Sequence, residues 1–306
     1  MRILITGTGG LLGLNLALEL SKRQTVIGAD RKALVVQQAF ETRQVDLLAP
    51  GAVESLVETS QPDAIIHCAA MAVVDACEAD PEMAARMNAE LPGRMAAEAL
   101  RCGSQLVYIS TDAVFDGLAG GYNEESPTNP LSVYAQTKLD GERAVFEAMP
   151  SAVVTRVNLF GWSASGNRSL AEFFYHNLAA GRAVKGFTDV SFCPILVNDL
   201  ADVFLEIFQR RLSGLYHLVS PACLTKYAFG VAIAEKFGFD PDNIEPVSVN
   251  DFGLMAARSP RLTLDNSKLS TALGHALPDV HTGLERFYQL HLHGHPDRLK
   301  QMVLAD

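Results

Sequence analysis

The residues able to do chemistry fall in three short stretches. Tyr134-Ala135-Gln136-Thr137-Lys138 sets a phenol and an ammonium four residues apart, on one face of a helix and about a turn from each other. A phenol that titrates near about 10 is a poor proton donor at neutral pH, but a cation within a few ångströms stabilises phenolate and brings the value toward the working range. Lys138 is expected to act on Tyr134 in this way. Thr111, in Ser110-Thr111-Asp112, follows the apolar run Leu106 to Ser110. A hydroxyl at such a strand end can hold a substrate oxygen without itself titrating. On its own a Tyr-x-x-x-Lys pair arises by chance in many helices; the strand end beside it and the third stretch give it meaning.

That third stretch is Thr6-Gly7-Thr8-Gly9-Gly10-Leu11-Leu12-Gly13. Glycines at 7, 10 and 13 let backbone N–H groups approach a pyrophosphate at a helix N-terminus, where the dipole favours an anion. Gly7, Gly10, Leu11, Leu12 and Gly13 are the expected contacts. A strand before, a helix after and Asp30 closing the next apolar run read as a dinucleotide turn rather than a structural one. Asp30 would accept hydrogen bonds from ribose hydroxyls and repel a 2′-phosphate, whereas Arg31 would pair with that phosphate, so NAD and NADP are both expected to serve. Asp46, in Gln44-Val45-Asp46-Leu47, offers a carboxylate either to the adenine edge or to its own turn.

The elements that must position these groups alternate. Arg2 to Thr6, Thr25 to Ala29, Ala64 to Cys68, Leu106 to Ser110 and Ala152 to Val157 read as strands, with helical segments at Leu11 to Leu20, Val53 to Thr59, after the Asp80-Pro81 cap, and Tyr134 to Met149. Parallel strands need crossover helices, so the fold class is α/β, a doubly wound parallel sheet of Rossmann type covered on both faces. Leu200, Val203, Phe204, Ile207 and Phe208 form the apolar stripe of a further packed helix, and Gly214 to Val219 a further strand. Residues 1–161, rejoined by about 196–219, are therefore expected to form a dinucleotide-binding domain, and 162–195 with 220–306 a smaller, discontinuous substrate domain.

Composition narrows the function classes. Among 306 residues, 25 basic against 35 acidic give a net charge of −10, which argues against a nucleic-acid binder, since counterion release needs clustered Lys and Arg. No apolar run reaches the length of a membrane span. Cys68, Cys77, Cys102, Cys193 and Cys223 are odd in number and scattered, with no Cys-x-x-Cys pair, so a reducing cytoplasm and no zinc clamp or disulfide framework are expected, with no leader segment. His67 reads as a packed residue at a strand end. His291, His293 and His295 read as an exposed tail loop rather than a metal cluster.

Taken together these residues resemble the short-chain dehydrogenase/reductase superfamily of extended type, and within it the dTDP-4-dehydrorhamnose reductase family. The glycine loop and Tyr134 to Lys138 are superfamily-wide. More family-specific are Ile109-Ser110-Thr111-Asp112-Ala113-Val114-Phe115-Asp116-Gly117 and the run from Tyr134 to Gly141-Glu142. His67-Cys68-Ala69-Ala70-Met71 with Val74-Asp75-Ala76-Cys77-Glu78 and Asn88, and the ending Arg258-Ser259-Pro260-Arg261 to Leu269, are similar to further family segments.

The resemblance implies a reductase of a nucleotide-linked 4-keto-6-deoxy sugar, using reduced NADP or NAD. Thr111, Tyr134 and Lys138 would be the catalytic set. Tyr134 would protonate the developing alkoxide, Thr111 hold that oxygen, and Lys138 bind the nicotinamide ribose. Leu47, Cys68, Ala69, Ala70, Met71 and Val157 would line the cofactor; Val73, Asp112, Trp162 and Phe192 would lie by the sugar nucleotide. Ala113 stands where many members carry tyrosine, so the sugar is expected to differ. Asn15 stands where some carry a carboxylate that helps hold an intersubunit magnesium, so no metal is expected; a homodimer is compatible with the helical surface. Two rivals are a cofactor-retaining epimerase or dehydratase of the same superfamily, and a regulatory subunit resembling the methionine adenosyltransferase beta subunit, which binds dinucleotide while its partner does the chemistry.

Overall fold

The protein is described by a computed structural model that covers residues 1–35, 39–251 and 259–302. Seven parallel strands form the central sheet: β1 (Arg2–Thr6), β2 (Thr25–Asp30), β3 (Glu41–Gln44), β4 (Ala64–His67), β5 (Gln105–Thr111), β6 (Val153–Val157) and β7 (Gly214–Leu218), in the order 7-6-5-4-1-2-3. The order reverses between β1 and β4, which leaves a crevice at their carboxyl ends. The main helices are α1 (Leu11–Leu20), α2 (Ala52–Ser60), α3 (Leu91–Arg101), α4 (Val133–Ala148), α5 (Leu170–Ala179), α6 (Leu200–Gln209), α7 (Lys226–Phe237), α8 (Val280–Leu292) and α9 (His295–Met302).

Central strands such as β1 and β4 are buried on both faces, which is why they read as unbroken apolar runs rather than as alternation. One core cluster lies under α2, α3 and α4, with Val53, Leu56, Met95 and Val145. The other joins Leu14 of α1 and Phe204 of α6 to Phe229 and Phe287. After Val157 the chain leaves the sheet and returns through α6 to β7, and this cluster joins residues of 1–161, 196–219 and 220–306. β3 was not anticipated, because Glu41-Thr42-Arg43-Gln44 is an edge strand with no apolar pattern.

Two expectations are corrected by tertiary packing. Cys193 and Cys223, 30 residues apart, are joined as a disulfide. The short strands Ser191–Phe192 and Leu224–Thr225 pair antiparallel and bring them face to face, a proximity that sequence spacing does not encode. The histidine tail is also not an exposed loop. It is the end of α8, a turn at Gly294 (φ +68°) and the start of α9. His295 is buried and its Nε2 donates to Asn15 Oδ1 at 2.8 Å. Among the described residues no helix is long and apolar enough to cross a membrane.

Candidate active site

The glycine turn sits at the crevice between β1 and β4. Gly7 has φ +69°, and a Cβ there would stand 2.7 Å from the Ala69 amide nitrogen, so the turn and the segment after β4 touch backbone to backbone. A Cβ on Gly13 would collide with the Gly7 carbonyl oxygen. The Gly10 amide donates to that same carbonyl at 3.0 Å. Helix α1 begins at Gly10 with no side-chain cap and no acidic residue in its first turn. The amides of that turn have no helical partner and are left for an anion. Asp30 lies against the loop: Oδ2 accepts from the Gly9 amide at 2.8 Å and Oδ1 from the Lys32 amide at 3.0 Å. Arg31 is exposed beside it.

The second half of the site is built by β5 and α4. β4 stops in register with Tyr108, while β5 continues to Thr111, opposite Val157 at the end of β6. Ser132 caps α4 by accepting from the Ala135 amide at 3.2 Å, which places Tyr134 in the first turn and Lys138 in the next. Tyr134 is half-buried. Burial pushes its phenol up to about 12; a hydrogen bond with Thr111 pulls it down, and Asp112 and Cys77 add to the rise. Lys138, one turn on, has partners of its own. Its Nζ donates to the Ile109 carbonyl at 2.7 Å and lies 4.1 Å from the centre of the Tyr108 ring. Burial pulls this ammonium down to about 7, against the attraction of Glu142 and Cys68. Thr111 also donates to Asp112 Oδ1 at 3.2 Å, and Asn158 donates to Asp112 Oδ2 at 2.5 Å. Burial raises the Asp112 carboxyl to about 6, opposed by those bonds and by the charge of Lys226.

The segment after β4 is held from the side. Asn88 accepts from the Met71 amide at 2.9 Å and donates to the Met71 carbonyl at 3.0 Å and to Thr137 at 3.1 Å. It lies in a π-helical turn, Arg86–Glu90, that runs into α3. This clamp fixes Cys68, Ala69, Ala70 and Met71 over the crevice. The family resemblance already includes Asn88; its place against α4 shows what it holds. Asn158, next after β6, is a further member that chemistry-first reading passes over.

Several expected contacts fall elsewhere. Trp162 is corrected from a sugar-nucleotide contact to a core residue. It is 1% exposed, its ring stacks on Phe287 at 4.0 Å, and its Nε1 donates to the Phe287 carbonyl, so no face is left for a ligand. Phe192 likewise turns its ring onto Phe229 in the core, with centroids 5.3 Å apart. Leu47 is buried under the sheet. The Asp46 carboxylate accepts from the Leu48 amide at 2.9 Å and so serves its own turn. Val73 starts a short helix and is exposed. Asn15 is fully buried, donating to the carbonyls of Leu11 and Trp162 and accepting from Asn198 and His295. Those bonds use its amide inside the fold. Among the described residues no group of three or more His, Cys, Asp or Glu is arranged to hold a metal. Arg258 lies outside the described residues. A cavity of about 830 Å³ at the opposite pole, by Gln61, Asp63 and Cys102, is lined by none of Thr111, Tyr134 or Lys138.

The sheet order, the glycine turn at the strand-order reversal and the Thr-Tyr-Lys set define a short-chain dehydrogenase/reductase of the extended type. The chain belongs to the RmlD substrate binding domain family, whose model matches residues 1–292. It is 32% identical over 292 residues, 93% of this chain and 96% of the relative, to the probable low-salt glycan biosynthesis reductase Agl14 of Haloferax volcanii. It is 34% identical over 295 residues, 93% of this chain and 86% of the relative, to the mouse methionine adenosyltransferase 2 subunit beta. Among solved structures, dTDP-4-dehydrorhamnose reductase of Bacillus anthracis in complex with NADP superposes with a TM-score of 0.84 at 28% identity, over 94% of this chain and 98% of that one.

Proposed function

We propose that this protein is an NAD(P)H-dependent reductase of a nucleotide-linked 4-keto-6-deoxy sugar. What supports the reading is the hydrogen bond of Tyr134 with Thr111 at the carboxyl end of β5, Lys138 one turn on along α4, and, after β1, a helix N-terminus with no side-chain cap that would suit a diphosphate. The dinucleotide fits these residues: the turn from Gly7 to Gly13 would hold its pyrophosphate, Asp30 and Arg31 its ribose end, and Lys138 its nicotinamide ribose. When bound in reduced form it supplies the hydride that the keto carbon accepts. The chain's own residues do the rest. Thr111 holds the sugar oxygen, Tyr134 gives its hydroxyl proton to that oxygen as negative charge develops, and Asp112, steadied by Asn158, faces the same oxygen-binding end of β5.

A cytoplasmic location accords with this reading, and the resemblance to Agl14 and to the Bacillus reductase supports it. Purified protein given a dTDP-linked 4-keto-6-deoxy sugar and reduced dinucleotide should consume the dinucleotide in step with sugar reduction. Tight binding of dinucleotide with no consumption, across dTDP-, UDP- and GDP-linked keto sugars, would overturn it. A second reading, a dinucleotide-binding regulatory subunit, is favoured by the likeness to the methionine adenosyltransferase beta chain, and that same outcome would select it.

A further inference from the structure

One buried charge on α4 has no part in the chemistry above. Glu142 lies four residues past Lys138, on the same face, and is 4% exposed. Its Oε1 accepts from Ser110 Oγ at 2.5 Å and from Arg156 Nε at 2.9 Å; its Oε2 accepts from Arg156 Nη2 at 2.7 Å. Ser110 immediately precedes Thr111 on β5, and Arg156 immediately precedes Val157 on β6. One carboxylate therefore ties α4 to the two strands whose ends bear the site. A buried ion pair is a poor device for stability alone, since apolar residues of similar volume serve folding equally well or better.

The surroundings of Lys138 show what the charge does there. From β4 the imidazole of His67 and the thiol of Cys68 face it; from β5 the Tyr108 ring; from its own helix Glu142, with Tyr134 one turn earlier; from β6 Arg156 pairs with Glu142. Burial holds His67 down at about 3, Cys68 up at about 12 and Tyr134 up at about 12. All three are neutral near pH 7, and burial raises the Tyr108 phenol well above its ordinary value. Glu142 is thus the one anion in that set. It opposes the burial that pulls Lys138 toward the neutral amine.

We propose that the Glu142–Arg156 pair is a positioning device for the active site. Glu142 supplies the counter-charge that keeps Lys138 an ammonium and, through Ser110, fixes the end of β5 that carries Thr111. Arg156 aims the carboxylate and offsets part of its charge. This rests on the reductase reading only in so far as turnover is used to observe it.

The test compares wild type with Glu142→Gln and Glu142→Asp, following turnover and the dissociation constant of NADPH across a pH range that brackets the value of about 7 to which burial brings Lys138. In Glu142→Gln the alkaline loss of both should begin about one pH unit or more lower, with values approaching wild type at the acid end. Glu142→Asp, which keeps the charge, should restore the wild-type limb. A uniform loss at every pH, or an unmoved limb, overturns the proposal. Should Glu142→Gln not fold, Arg156→Gln gives the reciprocal arm: the carboxylate then acts on Lys138 alone and the limb moves up. Failure of both variants to fold assigns the pair a purely structural role and also overturns the proposal. The NADPH arm needs no sugar, so an absence of sugar turnover in wild type counts against the reductase reading while leaving this result readable.

Discussion

Tyr134 is the residue on which the chemistry turns, and the structure gives it a less favourable starting point than its spacing from Lys138 suggests. Four residues apart on a helix places the two side chains on one face, and the ammonium donates to the Ile109 carbonyl. The groups that act on the phenol are instead Thr111, Asp112 and Cys77. A phenol held near about 12 is a reluctant base and a sufficient acid only once an alkoxide develops beside it, which suits proton donation to a reduced carbonyl. Tyr134→Phe should leave folding and dinucleotide affinity near wild type while lowering turnover by roughly a hundredfold or more, the scale of lost general acid catalysis. Steady-state kinetics beside fluorescence titration of the dinucleotide separates the two; unchanged turnover removes the assignment.

Helix α4 owes its position to a close approach. A Cβ on Gly141 would collide with the Asn88 carbonyl oxygen, which also accepts from the Tyr108 hydroxyl at 2.9 Å. Gly141→Ala gains about 1 kcal/mol of helix propensity but forces α4 off its neighbour, and overpacking of this kind costs about 1–3 kcal/mol. Denaturant titration should show net destabilisation, with turnover lowered as Tyr134 and Lys138 shift together; a more stable, fully active variant would mean that the helix has room to move. The disulfide is the other element-scale feature. Closing a loop of 30 residues constrains the unfolded chain by about 3.6 kcal/mol. Cys223→Ser should lose about that much under non-reducing conditions and nothing further on adding a dithiol. Disulfides persist in oxidising surroundings, so a thiol count on protein prepared without reductant also bears on the cytoplasmic expectation.

Across the whole molecule, three buried histidines set a pH limit. Burial holds His67 at about 3, with Lys138 adding to the depression, and His217 and His295 at about 4. Unfolded, each takes up a proton near about 6.5. Their contribution is therefore complete above that value and is lost as pH falls through the interval down to about 3 or 4, by about 2 kcal/mol for each at pH 5. Asp112, raised to about 6, works in the opposite sense over part of that range. Unfolding free energies from urea titration at pH 7 and pH 5 should differ by several kcal/mol in favour of pH 7; equal free energies would mean that these imidazoles protonate freely in the fold. What the sequence determined by itself was whatever short-range pattern encodes: apolar runs that can only be doubly buried strands, the glycine turn that only a backbone-to-backbone approach requires, and the helical spacing of Tyr134 and Lys138. Tertiary structure alone decided which partners Lys138 takes, that Trp162 and Phe192 belong to the core, that Cys193 meets Cys223, and which contacts Asn88, Glu142 and Arg156 make. Each of those outcomes depends on contacts between segments distant in the chain, and such contacts are set by the packing of whole elements against one another rather than by any local periodicity.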